Sequence, residues 1–211
     1  MNILVFGDSI TQGFHDDQSG GWCNRLFTYA NQKILETNYE YDVTLFNLGI
    51  SGDNTQDLKQ RLPHELAARC KSGEEAVVII AIGINDSQYE LATNENRVPI
   101  KDFEANVYGC IEEVQKYTDK IFFLNLLPIV ESMLMPMPWK PTHGYNNMHS
   151  ERYNKIIKTT ATETGATLID VAGALGNDPA IYLPDGIHPN AVGHQLIFER
   201  VKSALEKEGI L

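Results

Sequence analysis

The sequence predicts an α/β protein with a parallel β-sheet covered by helices on both faces. Short apolar runs rich in Val, Ile and Phe alternate five times with longer stretches of helical spacing. Right-handed crossovers between such strands place helices on both sides of one sheet. The chain has 211 residues, 43% of them hydrophobic, which is enough to bury a full core and favours a single domain over residues 1–211.

The predicted strands share a nearly continuous apolar character, which is typical of strands buried on both faces. Gly, Asp, Asn or Pro bounds each of them. They lie at residues 3–6, 43–48, 76–82, 120–127 and 166–171.

Helical spacing occupies most of the chain between and after these strands. Segment 128–146 interrupts the alternation, because it contains four prolines and three methionines and is not expected to form a regular helix. The predicted helices span residues 21–36, 54–71, 100–118, 147–164 and 190–207.

Composition disfavours several classes of partner. The chain has 28 acidic and 17 basic side chains, a net charge of -11, and no basic stripe, so we expect no nucleic-acid partner. No apolar run approaches the roughly 20 residues of a membrane span, and the N-terminus lacks the features of an export signal. The three cysteines, Cys23, Cys70 and Cys110, are odd in number and widely spaced, which disfavours disulfides and predicts that each is a small buried hydrophobic side chain. We expect a reducing, cytoplasmic location.

Polar loops follow the first three predicted strands. Their sequences are GDSITQG, NLGISGDN and IGINDS. In an open parallel sheet, ligands bind where the C-terminal ends of the strands meet the following loops. We therefore expect a binding or catalytic site at this edge.

The first of these loops is not a phosphate cradle. Five residues separate Gly7 from Gly13 and Phe14 stands where a P-loop has Lys, while Ser9 replaces the second glycine of a dinucleotide fingerprint. Two interpretations of Ser9 remain on this stretch alone: a nucleophile on a strand-to-helix turn, or an ordinary helix N-cap.

A serine nucleophile requires a base and a carboxylate that orients the base. Of the six histidines, His188 lies in a Gly/Pro-rich loop, LPDGIHPNAVG, with Asp185 three residues before it. This spacing allows the carboxylate to reach one imidazole nitrogen while the other faces Ser9. The alternative is a turn in which Asp185 caps local amides.

Four ordered blocks, FGDSITQG, NLGISGD, GIND and DGIHPN, resemble those of the SGNH-hydrolase superfamily, also called GDSL esterases and lipases. The resemblance extends from residue 5 to about residue 200. It implies a three-layer α/β/α sandwich with a five-stranded parallel sheet and flavodoxin-like winding. A serine hydrolase is the activity that it implies.

The resemblance also implies roles for individual residues. Ser9 matches the family nucleophile, His188 the base and Asp185 the third triad member. Gly52 and Asn85 match the oxyanion donors, together with the Ser9 N–H. We expect loop-bracing hydrogen bonds from Asp8, Asn47, Asp53 and Asp86. The other histidines, His15, His64, His143, His149 and His194, are expected at the surface or in the core with their ring nitrogens hydrogen-bonded.

The expected activity is hydrolysis of short-chain carboxylic esters through an acyl-enzyme, with a small-molecule ester as substrate and no metal or organic cofactor. A metal site of Asp8, Asp185 and His188 has no supporting ligand spacing. The alternatives are carbohydrate O-acetyl esterase, lysophospholipase or thioesterase activity on the same triad, and, in another class, a non-catalytic ligand-binding module.

Segment 128–146 is predicted to border the cleft. It could form a lid, an apolar wall for the acyl chain, a cover over the core or a subunit contact. Candidate wall residues are Met133, Met135, Met137 and Trp139.

Overall fold

A computed structural model describes residues 1–176 and 178–211 of the chain. Within them, short apolar runs form strands whose neighbours in space are not their neighbours in sequence. The strands are β1 (Asn2–Gly7), β2 (Thr44–Gly49), β3 (Ala76–Ala81), β4 (Tyr89–Glu90), β5 (Ile121–Leu124), β6 (His143–Gly144) and β7 (Thr167–Ile169).

The described helices fill the intervals between strands. They are α1 (Ser9–Gln12), α2 (Gly21–Glu36), α3 (Thr55–Arg69), α4 (Ile100–Gln115), α5 (Asn147–Thr164), α6 (Ala172–Leu175) and α7 (Ala191–Lys207), with single 3-10 turns at Glu131–Met133 and Pro179–Ile181.

Five parallel strands form the main sheet in the order β2-β1-β3-β5-β7. Successive β1 residues point to opposite faces, so Leu4 and Phe6 pack with α3, α4 and α5 while Ile3 and Val5 pack with α2 and α7. The predicted α/β architecture with helices on both faces is confirmed.

The edge strands depart from the prediction. Strands β1, β3 and β5 are almost fully buried, but β2 and β7 are partly exposed because each has a neighbouring strand on one side only. Strand β5 also ends at Leu124, earlier than predicted. At this point the Asn125 side chain accepts the N–H groups of Val171 and Ala172 at 2.8 and 3.1 Å. The segments that follow β5 and β7 then leave the sheet.

Segment 128–146 contains one 3-10 turn and β6, and no regular α-helix, as predicted. Strand β6 pairs antiparallel with β4, so Gly144 lies opposite Tyr89. This two-stranded ribbon joins segment 128–146 to the loop that follows β3.

None of the described helices is both long and apolar enough to cross a membrane. Cys23 and Cys110 are buried, Cys70 is partly buried, and all three are unpaired.

Candidate active site

Ser9 is the first residue of α1, directly beyond the end of β1. Its neighbour Asp8 is the N-cap, since the Asp8 side chain accepts the Ile10 N–H at 3.0 Å. The N-cap interpretation of Ser9 is therefore wrong. Gly49 allows α1 to lie this close to β2, because a Cβ there would be 2.4 Å from the Gln12 nitrogen.

His188 comes from the other end of the chain to meet Ser9. The Ser9 Oγ lies 2.9 Å from His188 Nε2, and His188 Nδ1 lies 2.6 Å from Asp185 Oδ2. Residues 179 positions apart in sequence thus form one continuous hydrogen-bonded chain.

Asp185 is held as a carboxylate. Burial alone would raise its pKa, but hydrogen bonds from the His188 ring and from the N–H groups of His188 and Ile187 bring the pKa below its ordinary value. An ionised carboxylate only accepts hydrogen bonds, so His188 Nδ1 carries a proton. In neutral His188 the lone pair of Nε2 therefore faces the Ser9 hydroxyl.

The loop carrying Asp185 and His188 is braced from two sides. Val130 donates its N–H to the Gly186 carbonyl at 2.8 Å, and the Phe14 ring lies 4.8 Å from the His188 ring between centroids. Asn190 then caps α7 by accepting the N–H groups of Val192 and Gly193, close to the predicted start of this helix.

Gly52 and Asn85 line the same cleft as Ser9. Gly52 has a φ of 85°, a conformation that favours glycine, and no heavy atom lies within 4 Å of the place a Cβ would take. Asn85 Nδ2 donates to the Asp53 carbonyl at 2.9 Å, and Asn85 Oδ1 accepts from the Tyr145 hydroxyl at 3.2 Å. A primary amide has two N–H groups, so one remains available to the cleft.

The cleft has a volume of about 460 Å³. The sequence did not predict several of its lining residues. His15 is exposed, as expected, yet its ring also faces this cleft. The other lining residues that the sequence did not predict are Ile10, Phe14, Ser51, Ile84, Gln88, Arg97, Tyr145 and Ile187.

The predicted methionine wall is wrong for three of its four members. Trp139 lines the cleft, but Met133, Met135 and Met137 do not. Met137 is buried in the core and accepts a hydrogen bond from Gln88 Nε2 at 3.5 Å, while Met133 and Met135 are exposed elsewhere. The cleft wall on this side is therefore aromatic, at Trp139, and not methionine-rich.

The predicted loop-bracing residues make the hydrogen bonds expected of them. Asn47 Nδ2 donates to the Thr11 carbonyl at 3.1 Å, and Asp53 pairs with Arg61 at 2.8 Å. Asp86 accepts the Thr55 N–H and hydroxyl beneath the cleft. Burial raises the pKa of Asp86 to about 6, and it raises that of the N-cap Asp8 to about 7.

Three of the remaining histidines have the predicted environments, whereas the buried His194 is satisfied only at Nδ1, and its Nε2 has no hydrogen-bond partner among the described residues. His64 is exposed and His143 partly exposed, whereas His149 and His194 are buried. Across the described ranges, no three His, Cys, Asp or Glu side chains are grouped to hold a metal ion.

Comparison with known proteins identifies the family. The GDSL-like Lipase/Acylhydrolase family model matches residues 5–196. The chain belongs to this family. The predicted family and the predicted carboxylic ester hydrolase are thereby confirmed.

The individual relatives share about a quarter of their residues with this chain or less. The chain is 25% identical to the bovine (Bos taurus) isoamyl acetate-hydrolyzing esterase 1 homolog, over 98% of this chain and 82% of the relative. It is 26% identical to an acetylxylan esterase of Geobacillus stearothermophilus, over 92% and 89%. The lipase/acylhydrolase structure from Enterococcus faecalis shares the fold with a TM-score of 0.73 at 22% identity, over 98% and 96% of the two chains.

Proposed function

We propose that the protein cleaves short-chain carboxylic esters, with Ser9 as nucleophile, His188 as general base and Asp185 as the carboxylate that orients it. The observation that carries this proposal is the continuous chain from Ser9 Oγ through both His188 nitrogens to Asp185, at 2.9 and 2.6 Å. A serine hydroxyl is a weak nucleophile at neutral pH, and such a chain supplies the base that activates it.

In the proposed reaction, Ser9 Oγ attacks the ester carbonyl carbon as its proton passes to His188 Nε2. The carbonyl π electrons move to oxygen and form a tetrahedral oxyanion. Collapse of this intermediate expels the alcohol, which takes the proton from His188, and leaves an acyl group on Ser9. Water, deprotonated by His188, attacks the carbonyl carbon of the acyl-enzyme and forms a second tetrahedral oxyanion. Its collapse breaks the bond to Ser9 Oγ, which takes the proton back from His188, and releases the acid. These steps use no metal or organic cofactor.

We assign oxyanion stabilisation to the Ser9 N–H, the Gly52 N–H and the free Asn85 Nδ2 proton. All three residues border the cleft that holds Ser9 Oγ. Preorganised neutral donors contribute strongly where charge develops, and removing one costs on the order of 10²–10³ in rate.

Acetyl esters are the proposed substrate class. One named relative is an acetylxylan esterase, and the other is named as the homolog of an isoamyl acetate-hydrolyzing esterase, so both names refer to acetyl esters. Trp139 beside Arg97, Gln88 and His15 gives the cleft an aromatic surface with polar groups around it. An aromatic ring flanked by polar side chains favours a second candidate, O-deacetylation of carbohydrates.

The wider proposals concern the whole chain. We propose one SGNH-hydrolase domain over residues 1–211, supported by the two apolar cores that flank one sheet. Unpaired cysteines support a reducing, cytoplasmic location. The net charge of -11 supports a small-molecule ester, not nucleic acid, as the partner.

Turnover of p-nitrophenyl acetate by the wild type and Ser9→Ala tests the proposed function. We expect the variant to lose at least about 10³-fold in kcat with an unchanged melting temperature. Equal rates would instead support a ligand-binding module.

Substrate class is tested separately. Activity should fall from acetate to octanoate esters, and flat activity across chain lengths would contradict a short acyl site. Acetate release from acetylated xylo-oligosaccharides, compared with isoamyl acetate, separates the two candidates.

A further inference from the structure

A line of hydrogen-bonded side chains runs from the surface to the proposed oxyanion donor. Lys140 Nζ lies 3.3 Å from Gln88 Oε1, and Gln88 Nε2 lies 3.0 Å from the Tyr145 hydroxyl. The Tyr145 hydroxyl lies 3.2 Å from Asn85 Oδ1, and Asn85 Nδ2 lies 2.9 Å from the Asp53 carbonyl. Gln88 and Tyr145 line the cleft but are 7% and 2% exposed, so most of their surface is shielded from water.

The two ends of this line fix its direction. The Lys140 ammonium group can only donate, and the Asp53 carbonyl can only accept. Gln88 must therefore turn its oxygen toward Lys140 and its amide nitrogen toward Tyr145. Met137 Sδ, also an acceptor, lies 3.5 Å from the same Gln88 nitrogen and favours the same orientation.

Tyr145 passes this orientation on to Asn85. Its oxygen accepts from Gln88, so its own proton is directed at Asn85 Oδ1. Burial raises the pKa of Tyr145 to about 12, which keeps that proton in place throughout the neutral range. The second N–H of Asn85 Nδ2, the one not bonded to the Asp53 carbonyl, is then available to the cleft.

We propose that Tyr145, supported by Gln88, is a positioning residue that holds the Asn85 amide in the orientation that donates to the oxyanion. This inference rests on the oxyanion role proposed above for Asn85. The two ends of a primary amide have nearly the same shape, so packing alone distinguishes them poorly and hydrogen bonds must decide. A reversed amide would present an oxygen to the developing negative charge.

The backbone around Tyr145 suits a fixed hydroxyl. The β4–β6 ribbon ends at Gly144, immediately before Tyr145, and the Tyr145 N–H donates to the Leu134 carbonyl at 3.3 Å. The Tyr145 ring is buried in the core beside α3–α5. Removing only the hydroxyl therefore leaves the ring's packing in place.

Four variants test the inference on p-nitrophenyl acetate: Tyr145→Phe, Gln88→Glu, Asn85→Ala and the double variant Tyr145→Phe/Asn85→Ala. Gln88→Glu keeps the shape but provides only acceptors, so the Tyr145 proton should turn toward the new carboxylate and away from Asn85. Tyr153→Phe is the matched control, because Tyr153 is a buried tyrosine of the same core whose hydroxyl donates to the Val98 carbonyl at 2.5 Å.

We expect Tyr145→Phe and Gln88→Glu each to lower kcat about tenfold with KM nearly unchanged, since the contact they support forms only in the transition state. Tyr153→Phe should leave kcat unchanged. Asn85→Ala alone should lower kcat about 10²–10³-fold. Adding Tyr145→Phe to Asn85→Ala should have no further effect on kcat.

The outcomes separate this inference from the proposed function. Full activity of Tyr145→Phe, or a loss that multiplies with that of Asn85→Ala, would overturn the positioning role and leave the triad untouched. Full activity of Asn85→Ala would overturn both the oxyanion assignment and the inference. Loss of activity in Ser9→Ala is independent of either result.

Discussion

Replacing Asp185 with Asn should place the proton of His188 on the wrong nitrogen. The N–H groups of Ile187 and His188 both lie 3.0 Å from Asp185 Oδ1 and require an oxygen there. The Asn oxygen would therefore occupy that position, and its NH₂ group would face His188 Nδ1.

Two donors cannot share a hydrogen bond, so the imidazole should move its proton from Nδ1 to Nε2. Nε2–H would then face the Ser9 hydroxyl and could not accept its proton. We expect kcat to fall about 10⁴-fold, the scale seen when a triad histidine is held in the wrong tautomer, with KM and melting temperature nearly unchanged.

The assay is p-nitrophenyl acetate turnover, normalised to folded protein by circular dichroism. Asp170→Asn is the matched control. The Asp170 carboxylate also accepts a backbone N–H, from Gly173 at 2.9 Å, and a side-chain hydrogen bond from Asn125 Nδ2 at 2.7 Å. Asp170 does not line the cleft. This control should keep full activity. An Asp185→Asn enzyme within tenfold of the wild type would refute the tautomer argument.

Three further variants test individual structural features. Burial raises the pKa of Asp8 to about 7, so the folded protein should lose stability as pH rises from about 4 through 7. In urea unfolding, Asp8→Asn should remove this loss, which is roughly 4 kcal/mol at most. Burial lowers the pKa of His194 to about 4, so stability should fall as pH drops from about 6.5 to 4. His194→Asn should remove about 3 kcal/mol of this pH-dependent loss in the free energy of unfolding. Gly49→Ala, whose Cβ would lie 2.4 Å from the Gln12 nitrogen, should displace α1, lower stability by about 1–3 kcal/mol in thermal melts and reduce kcat.

Each of these variants has a contradicting result. Parallel pH profiles for Asp8→Asn and wild type would mean that Asp8 carries no unusual proton in the folded state. If His194→Asn loses stability between pH 6.5 and 4 as the wild type does, His194 is excluded as the source of that loss. A fully stable and active Gly49→Ala protein would show that α1 is not confined by β2.

The sequence predicted the sheet well because buried strands and amphipathic helices have distinct periodicities. It also predicted that Ser9, Asp185 and His188 come together, since the carboxyl ends of parallel strands and the last loop share one edge. The predicted limits of the strands were less accurate. Strand β5 stops at Leu124 because the Asn125 side chain takes over hydrogen bonds that the sheet would otherwise supply.

The walls of the cleft were not predictable in the same way. Gln88 and Tyr145 meet because two-residue strands, β4 and β6, pair across more than 50 positions of sequence. Such short strands carry no periodicity. Met137 is buried while Trp139 is exposed at the cleft, a difference set by tertiary packing that Pro-rich segment 128–146 does not encode locally.

The central claim is that the Ser9 oxygen is activated by His188. Mass spectrometry after reaction with a fluorophosphonate probe tests it most directly, because the probe phosphonylates an activated serine. We predict one adduct, on the peptide containing Ser9, that disappears in His188→Ala while the protein stays folded. Labelling at another serine, or undiminished Ser9 labelling without the His188 imidazole, would contradict the account.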